Sequence, residues 1–472
     1  MVFEKFRGTG PQLIAAFTGT FFALSDGMHY GWTAPAIPKL THPDSPVQTT
    51  KRQAELLETV LMFGAFCGLP LTIFFVNKIG RKYSLLLASS FSLTGWVLIA
   101  LANHIYVVFI ARFFAGLAGD MAFVAAPMYI AEIADQKIRG FLSSLIYLMM
   151  LTGIIMVYCI TPFTPLYVPP IIGGGFVLLE LIIFPFMPES PYYLLTKDKR
   201  EEARAALLRL RNTDNIDKEF EEIESALARQ KTETGRPQDL LLVSSNRKAL
   251  LIMSVLNAAQ HFSSISVMLM NLHLILASAG SIYIKDSTAA ILFSLVMLTS
   301  ALCSSLLMDK FGRKALLINS SILTGLCLLI IATYFQFKHT GANMDSISWI
   351  PVATVMLYAA CFKSGLGLVP IVLTAELFPT KLKAIGMTLA DASYVVWAMI
   401  SLSVYQLLHD RFGMHVPFFV YATSCFCTAI FTYFVIPETK GKTLDEIQYI
   451  LKGEVPPSKE DLEGANQEFI KK

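Results

Sequence analysis

Charge is scarce in this chain. Asp, Glu, Lys and Arg make up only 15% of its 472 residues, where a soluble domain carries about 25%. That excludes an ordinary soluble protein, and 54% hydrophobic residues indicate repeated passage through a bilayer. A net charge of +3 gives no reason to expect a nucleic-acid partner. Cysteine is sparse too. All seven thiols (Cys67, Cys159, Cys303, Cys327, Cys361, Cys425, Cys427) lie in apolar stretches, so neither a disulfide framework nor a metal site is indicated. "GKT" at 441–443 lacks the upstream glycine of a phosphate loop, since Ile436 stands there. No nucleophile–base constellation appears, which argues against an enzyme. The one glycosylation-type triplet, "NSS" at 319–321, falls inside an apolar run and is expected to carry no glycan.

What is present is oil with punctuation. Twelve apolar runs are long enough to span a bilayer, near 12–33, 55–76, 83–103, 106–131, 141–161, 168–187, 249–278, 288–308, 315–336, 350–375, 385–408 and 416–436. The first follows "MVFEKFRGTG" and runs on into "GWTAPAIP" with no obvious cleavage site, so it reads as an uncleaved span. Basic stretches follow runs two, four, eight and ten ("NKIGRK", "ADQKIRG", "DKFGRK", "FPTKLK"), while 103–105 and 162–167 have no Lys or Arg. The positive-inside rule then places both termini and the segment 188–248 in the cytoplasm. In that segment "KREEARAALLRLR" and "DKEFEEIESALARQ" have helical spacing and mixed charge, predicting short amphipathic helices beneath the membrane part. The end, "GEVPPSKEDLEGANQEFIKK", is polar and predicted disordered.

The chain also repeats itself. "NKIGRK" at 77 returns as "DKFGRK" at 309, the acid Glu132 as Glu376, and "PESP" at 188 as "PETK" at 437. This predicts an all-α membrane protein with twelve helices in two six-helix pseudo-symmetric bundles, 1–187 and 249–436, joined by a cytoplasmic helical linker, 188–248, and ending in a cytoplasmic tail, 437–472. Glu132 and Arg139 are seven residues apart, which on a continuous helix puts both on about one face. A charge at the membrane edge is costly unless paired, and Arg81 and Arg112 are further candidate partners. Lys78 and Lys82 are expected to set topology and meet lipid headgroups.

At these motifs the chain resembles the sugar porter family of the major facilitator superfamily, most of all its trehalose and glucose facilitators. The matching stretches are "NKIGRK", "ARFFAG", "PMYIAEIADQKIRG", "PESPYYLL", "DKFGRK", "AELFPTKLKA" and "PETKGKTLDEI". The resemblance implies a plasma-membrane carrier with a central site and alternating access, no cofactor, and a small solute, a hexose or trehalose. It implies that Arg81, Glu132 and Arg139 tie helices 2, 4 and 5 at the cytoplasmic end, that Arg313, Glu376 and Lys383 do so in the second half, and that Glu189 and Glu438 join insert and tail to them. Inward opening is then expected to break these pairs. Lys383 stands where the family has arginine, so that lock should be weaker. The family glycine four residues before the Asn or Asp is replaced by Ile73 and Ser305, which predicts looser packing of helix 2.

The central site departs further. The family's helix 7 pattern reads "QHFSSIS" at 260–266: Gln260 matches, while His261 and Ser266 replace amides. Tyr147 stands where a sugar-contacting glutamine is usual. Helix 10 reads "GLGLVPI" at 365–371, where Gly365, Gly367 and Pro370 can still break the helix. Ile371 and "YV" at Tyr394 replace tryptophan-bearing positions, so the usual stacking surface is expected to be lost, and Lys363 replaces an acid. Asp26, Asp120, Lys363 and Asp391 are ionisable residues in mid-helix, each costing roughly 3 kcal/mol or more against lipid, so they should face the cavity or one another. Lys363 with Asp26 is the expected pair. His29 lies near the usual proton-coupling aspartate of helix 1, which favours facilitated diffusion; Asp26 leaves a proton-linked or organic-solute symporter as the alternative. A sugar sensor that does not transport is the third reading. Glu180 is expected at the membrane interface.

Overall fold

The computed structural model describes residues 10–454, apart from 136–137, 214–215, 233–237, 281–282, 379–381, 441 and 443. The first crossing is a pair, α1 (Gly10–Thr18) and α2 (Phe21–Leu40), followed by α3 (Lys51–Lys78), α4 (Arg81–Ala100), α5 (Ile105–Ile133), α6 (Arg139–Ile160) and α7 (Val168–Ile183). Four short helices follow: α8 (Pro191–Thr196), α9 (Arg200–Arg211), α10 (Asp217–Thr232) and α11 (Asp239–Leu242). The second half comprises α12 (Ser244–His261) with α13 (Ile265–Ala279), α14 (Asp286–Phe311), α15 (Arg313–His339), α16 (Trp349–Ser364) with α17 (Val369–Leu377), α18 (Lys383–Phe412) and α19 (His415–Val435), then α20 (Leu444–Lys452).

Three crossings are broken. The first was expected as one helix over 12–33, but it interrupts at Gly19–Thr20 and then continues to Leu40 through Pro35 and Pro38. Thr18 and Thr20 hydroxyls donate back to Ile14 and Phe17 carbonyls there, satisfying groups that the break frees. The seventh breaks at Phe262–Ser264, with Ser264 left-handed at φ 75°. The tenth breaks over Gly365–Leu368, where its two glycines and Pro370 were expected to break it.

Eleven helical stretches among the described residues are long and apolar enough to cross a bilayer, and the α1–α2 pair supplies the twelfth crossing. Their outward faces carry exposed Phe63, Phe74, Leu101, Ile182, Leu323 and Phe434, as helices apolar all round must in lipid. Within the first half, α3 and α4 pack on α5, and α2 on α6; within the second, α15 packs on α19 and α16, and α12 on α18. Helix 2 is not loosely packed as Ile73 suggested. It meets α5 through Gly116, where a Cβ would lie 1.9 Å from the Leu61 carbonyl oxygen. The halves meet through α2 with α13, α3 with α18, and α6 with α14.

Candidate functional site

At the basic face each half builds the same knot. Arg81 opens α4 and donates through Nε (3.1 Å) and an NH2 nitrogen (2.9 Å) to Glu132 Oε1, near the end of α5. Ser190 Oγ donates to the other oxygen of Glu132. In the second half Arg313 opens α15 and pairs with Glu376 at 3.1 Å, while Thr439 Oγ1 donates to Glu376 Oε2 at 2.5 Å. These bonds were chosen by a turn. Gly80 and Gly312 have φ of 100° and 84°, a region that side chains avoid. A Cβ on Gly80 would lie 2.4 Å from Glu189 Oε2, and one on Gly312 would lie 2.6 Å from Glu438 Oε2.

Those two glutamates are helix caps. Glu189 Oε1 accepts from the Lys82 (3.2 Å) and Ser190 (2.8 Å) amides. Glu438 accepts from the amides of Arg313 (3.0 Å), Lys314 (3.1 Å) and Lys440 (2.9 Å). A carboxylate at the first turn satisfies orphan N–H groups and faces the positive end of the helix dipole. The insert is stapled to the first half: Tyr193 donates to the Lys78 carbonyl (2.7 Å), Tyr129 to Pro188 (2.8 Å) and Arg211 to Ile133 (2.8 Å). Gln448 of α20 donates to the Leu377 carbonyl in the second half (2.7 Å).

Several expectations for this face are corrected. Lys82 does not reach out to headgroups; it is buried and donates to the Pro185 carbonyl at 2.6 Å. Arg112 is not part of the knot. It sits twenty residues before Glu132, about 30 Å along the same helix. There it is fully buried and donates to the His29 carbonyl (2.6 Å) and Thr33 Oγ1 (2.8 Å). The side chains of Arg139 and Lys383 lie outside the described residues. Among the described residues the bonds of each knot stay within its own half and the insert or tail beside it.

The halves are joined at mid-depth and toward the opposite face. There Tyr158 donates to the Leu269 carbonyl at 2.5 Å, Asn271 to Glu58 at 3.2 Å and Gln406 to the Glu55 carbonyl at 3.1 Å. Glu58 and Asn271 went unnoticed in the sequence. The signal was an acid lying within the second apolar run.

Between the breaks of the seventh and tenth crossings lies a polar seam. Tyr30 (α2) approaches Ser266 (α13) at 3.5 Å, and Ser266 meets His261 Nδ1 at 2.7 Å. Lys363 (α16) donates to the Tyr147 hydroxyl (α6), with its ammonium 4.7 Å from that ring's centre. Tyr394 (α18) touches the His261 ring edge at 4.2 Å between centroids. Three tyrosines, Tyr30, Tyr147 and Tyr394, thus make contacts along this seam. Tyr30 was missed because nothing in the apolar run says which side faces inward.

Other residues take different places from those expected. Gln260 is buried and committed to the Leu366 carbonyl at 3.0 Å, holding the tenth-crossing break. His261 is fully enclosed and positions Ser266. Ile371 is 55% exposed, and Gly367 packs against Phe362 and Lys363. Lys363 does not pair with Asp26: its Nζ turns to Tyr147, and Asp26 lies in the field of Arg112 together with Glu58. His29 stacks on Trp96 at 3.6 Å between centroids. Asp120 accepts from Thr72 at 2.8 Å. Glu180 is fully buried near the end of α7.

Residues 12–451 match the family described as "Sugar (and other) transporter". The human solute carrier family 2 facilitated glucose transporter member 6 is 27% identical over 460 residues, spanning 92% of this chain and 90% of that protein. The facilitated trehalose transporter Tret1 of Drosophila virilis is 26% identical over 453 residues; the match spans 94% of this chain but 49% of that longer protein. In fold, the chain is similar to the E. coli xylose transporter XylE in an inward-open conformation, with a TM-score of 0.77 at 21% identity, covering 93% of this chain and 99% of that one. With twelve crossings in two halves, paired basic-face knots and a match over most of its length, the chain belongs to the sugar transporter family of the major facilitator superfamily and is a multi-pass membrane transporter, not an enzyme.

Proposed function

We propose that the chain carries a sugar, a hexose or trehalose, by facilitated diffusion with alternating access. The observation that carries this is the seam itself: five polar side chains, Tyr30, Tyr147, Ser266, Lys363 and Tyr394, come from five crossings of both halves and meet at the two helix breaks. Broken helices at mid-depth between repeated halves are where carriers bind solute, because unwound backbone is tolerated only where it lines a cavity. Tyrosine offers a sugar both an apolar face and a hydroxyl. The relatives named for glucose, trehalose and xylose transport support the solute class.

The basic face is the cytoplasmic one in this reading, with both termini there, in the plasma membrane. The bonds between the halves toward the opposite face, Asn271 to Glu58 and Gln406 to the Glu55 carbonyl, support reading this as an inward-facing state. Each knot keeps its half stiff, so that the halves rotate as bodies around the seam. Lipid covers the apolar outer faces. Uptake of labelled glucose and trehalose into proteoliposomes tests this: saturable flux insensitive to a pH gradient is expected, and no flux of either sugar overturns it. Asp26 and Glu58, buried near Arg112, favour a proton-linked carrier as the second reading; sugar accumulation driven by the gradient would select it.

A further inference from the structure

Lys363 is the unusual member of the seam. It is only 6% exposed, in the last turn of α16 where the tenth crossing breaks, and at the boundary between halves. Its ammonium has the Tyr147 hydroxyl and two aromatic faces, Tyr147 at 4.7 Å and Phe362 at 5.3 Å from the ring centres. No carboxylate among the described residues forms an ion pair with it. The acids near mid-depth are engaged elsewhere: Asp26 and Glu58 lie in the field of Arg112, Glu58 accepts from Asn271, and Asp120 accepts from Thr72.

A buried charge with neutral partners keeps most of its desolvation cost, and a residue of this kind in a membrane helix marks a solute path by default. A lysine is a compact point charge with three donors. Tyr147 takes one of these donors, which leaves donors for a bound anion. Around it, Tyr30, Ser266 and Tyr394 offer hydroxyls and ring faces suited to a polyol. One cation matches one negative charge.

We infer that Lys363 makes the central site selective for a hydroxylated monocarboxylate, an aldonate or uronate, over the neutral sugar of the same carbon chain. This rests on the seam being the solute site. Lys363 holds the carboxylate, and Tyr147 fixes the ammonium against the seam.

Gluconate and sorbitol share a carbon chain and differ by the carboxylate, so they are the test pair. The full chain, purified in detergent, is titrated with each by thermal shift, and the same pair competes against labelled glucose uptake in proteoliposomes. Gluconate is expected to bind and inhibit at least tenfold better than sorbitol. Lys363→Met should erase that ratio, and Lys363→Arg should retain most of it. Equal potency of the two compounds on the unaltered protein overturns the inference even if Lys363→Met fails to fold. A ratio unchanged in a folded Lys363→Met protein also overturns it. Glucose flux without any gluconate preference leaves the carrier reading standing and removes only this inference. Gluconate binding in the thermal shift without flux of any solute removes the carrier reading and keeps the selectivity.

Discussion

The two basic-face knots share a plan and differ in solvation. In the first half, burial under α8 pushes the Glu189 carboxyl above its ordinary value of 4.5; its two amide donors and Arg81 oppose the rise, and Glu132 adds to it. In the second half burial also raises Glu438, but amides of Arg313, Lys440, Lys314 and Thr439 outweigh it and hold the group below 4.5. Duplicated motifs therefore do not guarantee duplicated energetics. The Glu189 oxygen Oε1 takes both bonds, and Oε2 has no hydrogen-bond partner among the described residues. Glu438 uses Oε1 for two amides and Oε2 for a third. The first cap is a carboxylate in a site that a neutral group could fill; the second needs the full charge.

The hardest break in this comparison is at the turns. Gly80→Ala adds a Cβ 2.4 Å from Glu189 Oε2 and 2.8 Å from Tyr193 Cε1, on top of the positive φ. It should cost about 3 kcal/mol, and Gly312→Ala, whose three nearest atoms all belong to Glu438, about 2 kcal/mol. Thermal unfolding in detergent reads both, and equal losses would mean that Tyr193 adds nothing to the first turn.

Glu132→Gln and Glu376→Gln come next. Glu132 accepts two bonds from Arg81 and Glu376 one at 3.1 Å, so losses of about 2 and 1.5 kcal/mol are expected in that order. Because each knot lies inside one half, neither substitution should shift the balance between facing states, read as cysteine accessibility at the basic mouth. A large shift would restore these pairs as a gate.

The smallest effects sharpen the contrast in sign. Glu438→Gln must lose the acceptor for one of its three amide donors and should cost about 1 kcal/mol at pH 7. A group held below its unfolded pKa contributes stability above that value, so this deficit should persist down to about pH 4.5 and vanish as pH falls through the folded pKa. Glu189→Gln keeps its accepting oxygen and removes a charge that burial disfavours. The penalty on Glu189 is present above its raised pKa and gone below 4.5, so this variant should lie within about 0.5 kcal/mol of the parent at pH 7 or be more stable. If both variants lose equally at pH 7, the two caps are alike and the comparison fails.

Much of this was legible beforehand. Spans appear as apolar length, the insert helices as mixed-charge periodicity, and the tenth-crossing break as Gly365, Gly367 and Pro370. The seventh-crossing break was not, because "HFSSIS" contains no glycine or proline, and Ser264 takes a left-handed conformation only where Tyr358 and its neighbours hold the turn. Arg112 was assigned to the wrong end of its helix because a motif names partners without depth.

By itself the sequence determined how many times the chain crosses, which face is basic and where the duplicated turns lie, since length, charge asymmetry and glycine act locally. Only the tertiary structure decided that Lys363 meets Tyr147 and not Asp26, that Gln260 serves the backbone, and that Glu189 and Glu438 differ. The physical reason is that helices apolar on every side carry no periodic signal of which face turns inward. Partners hundreds of residues apart are chosen by packing alone.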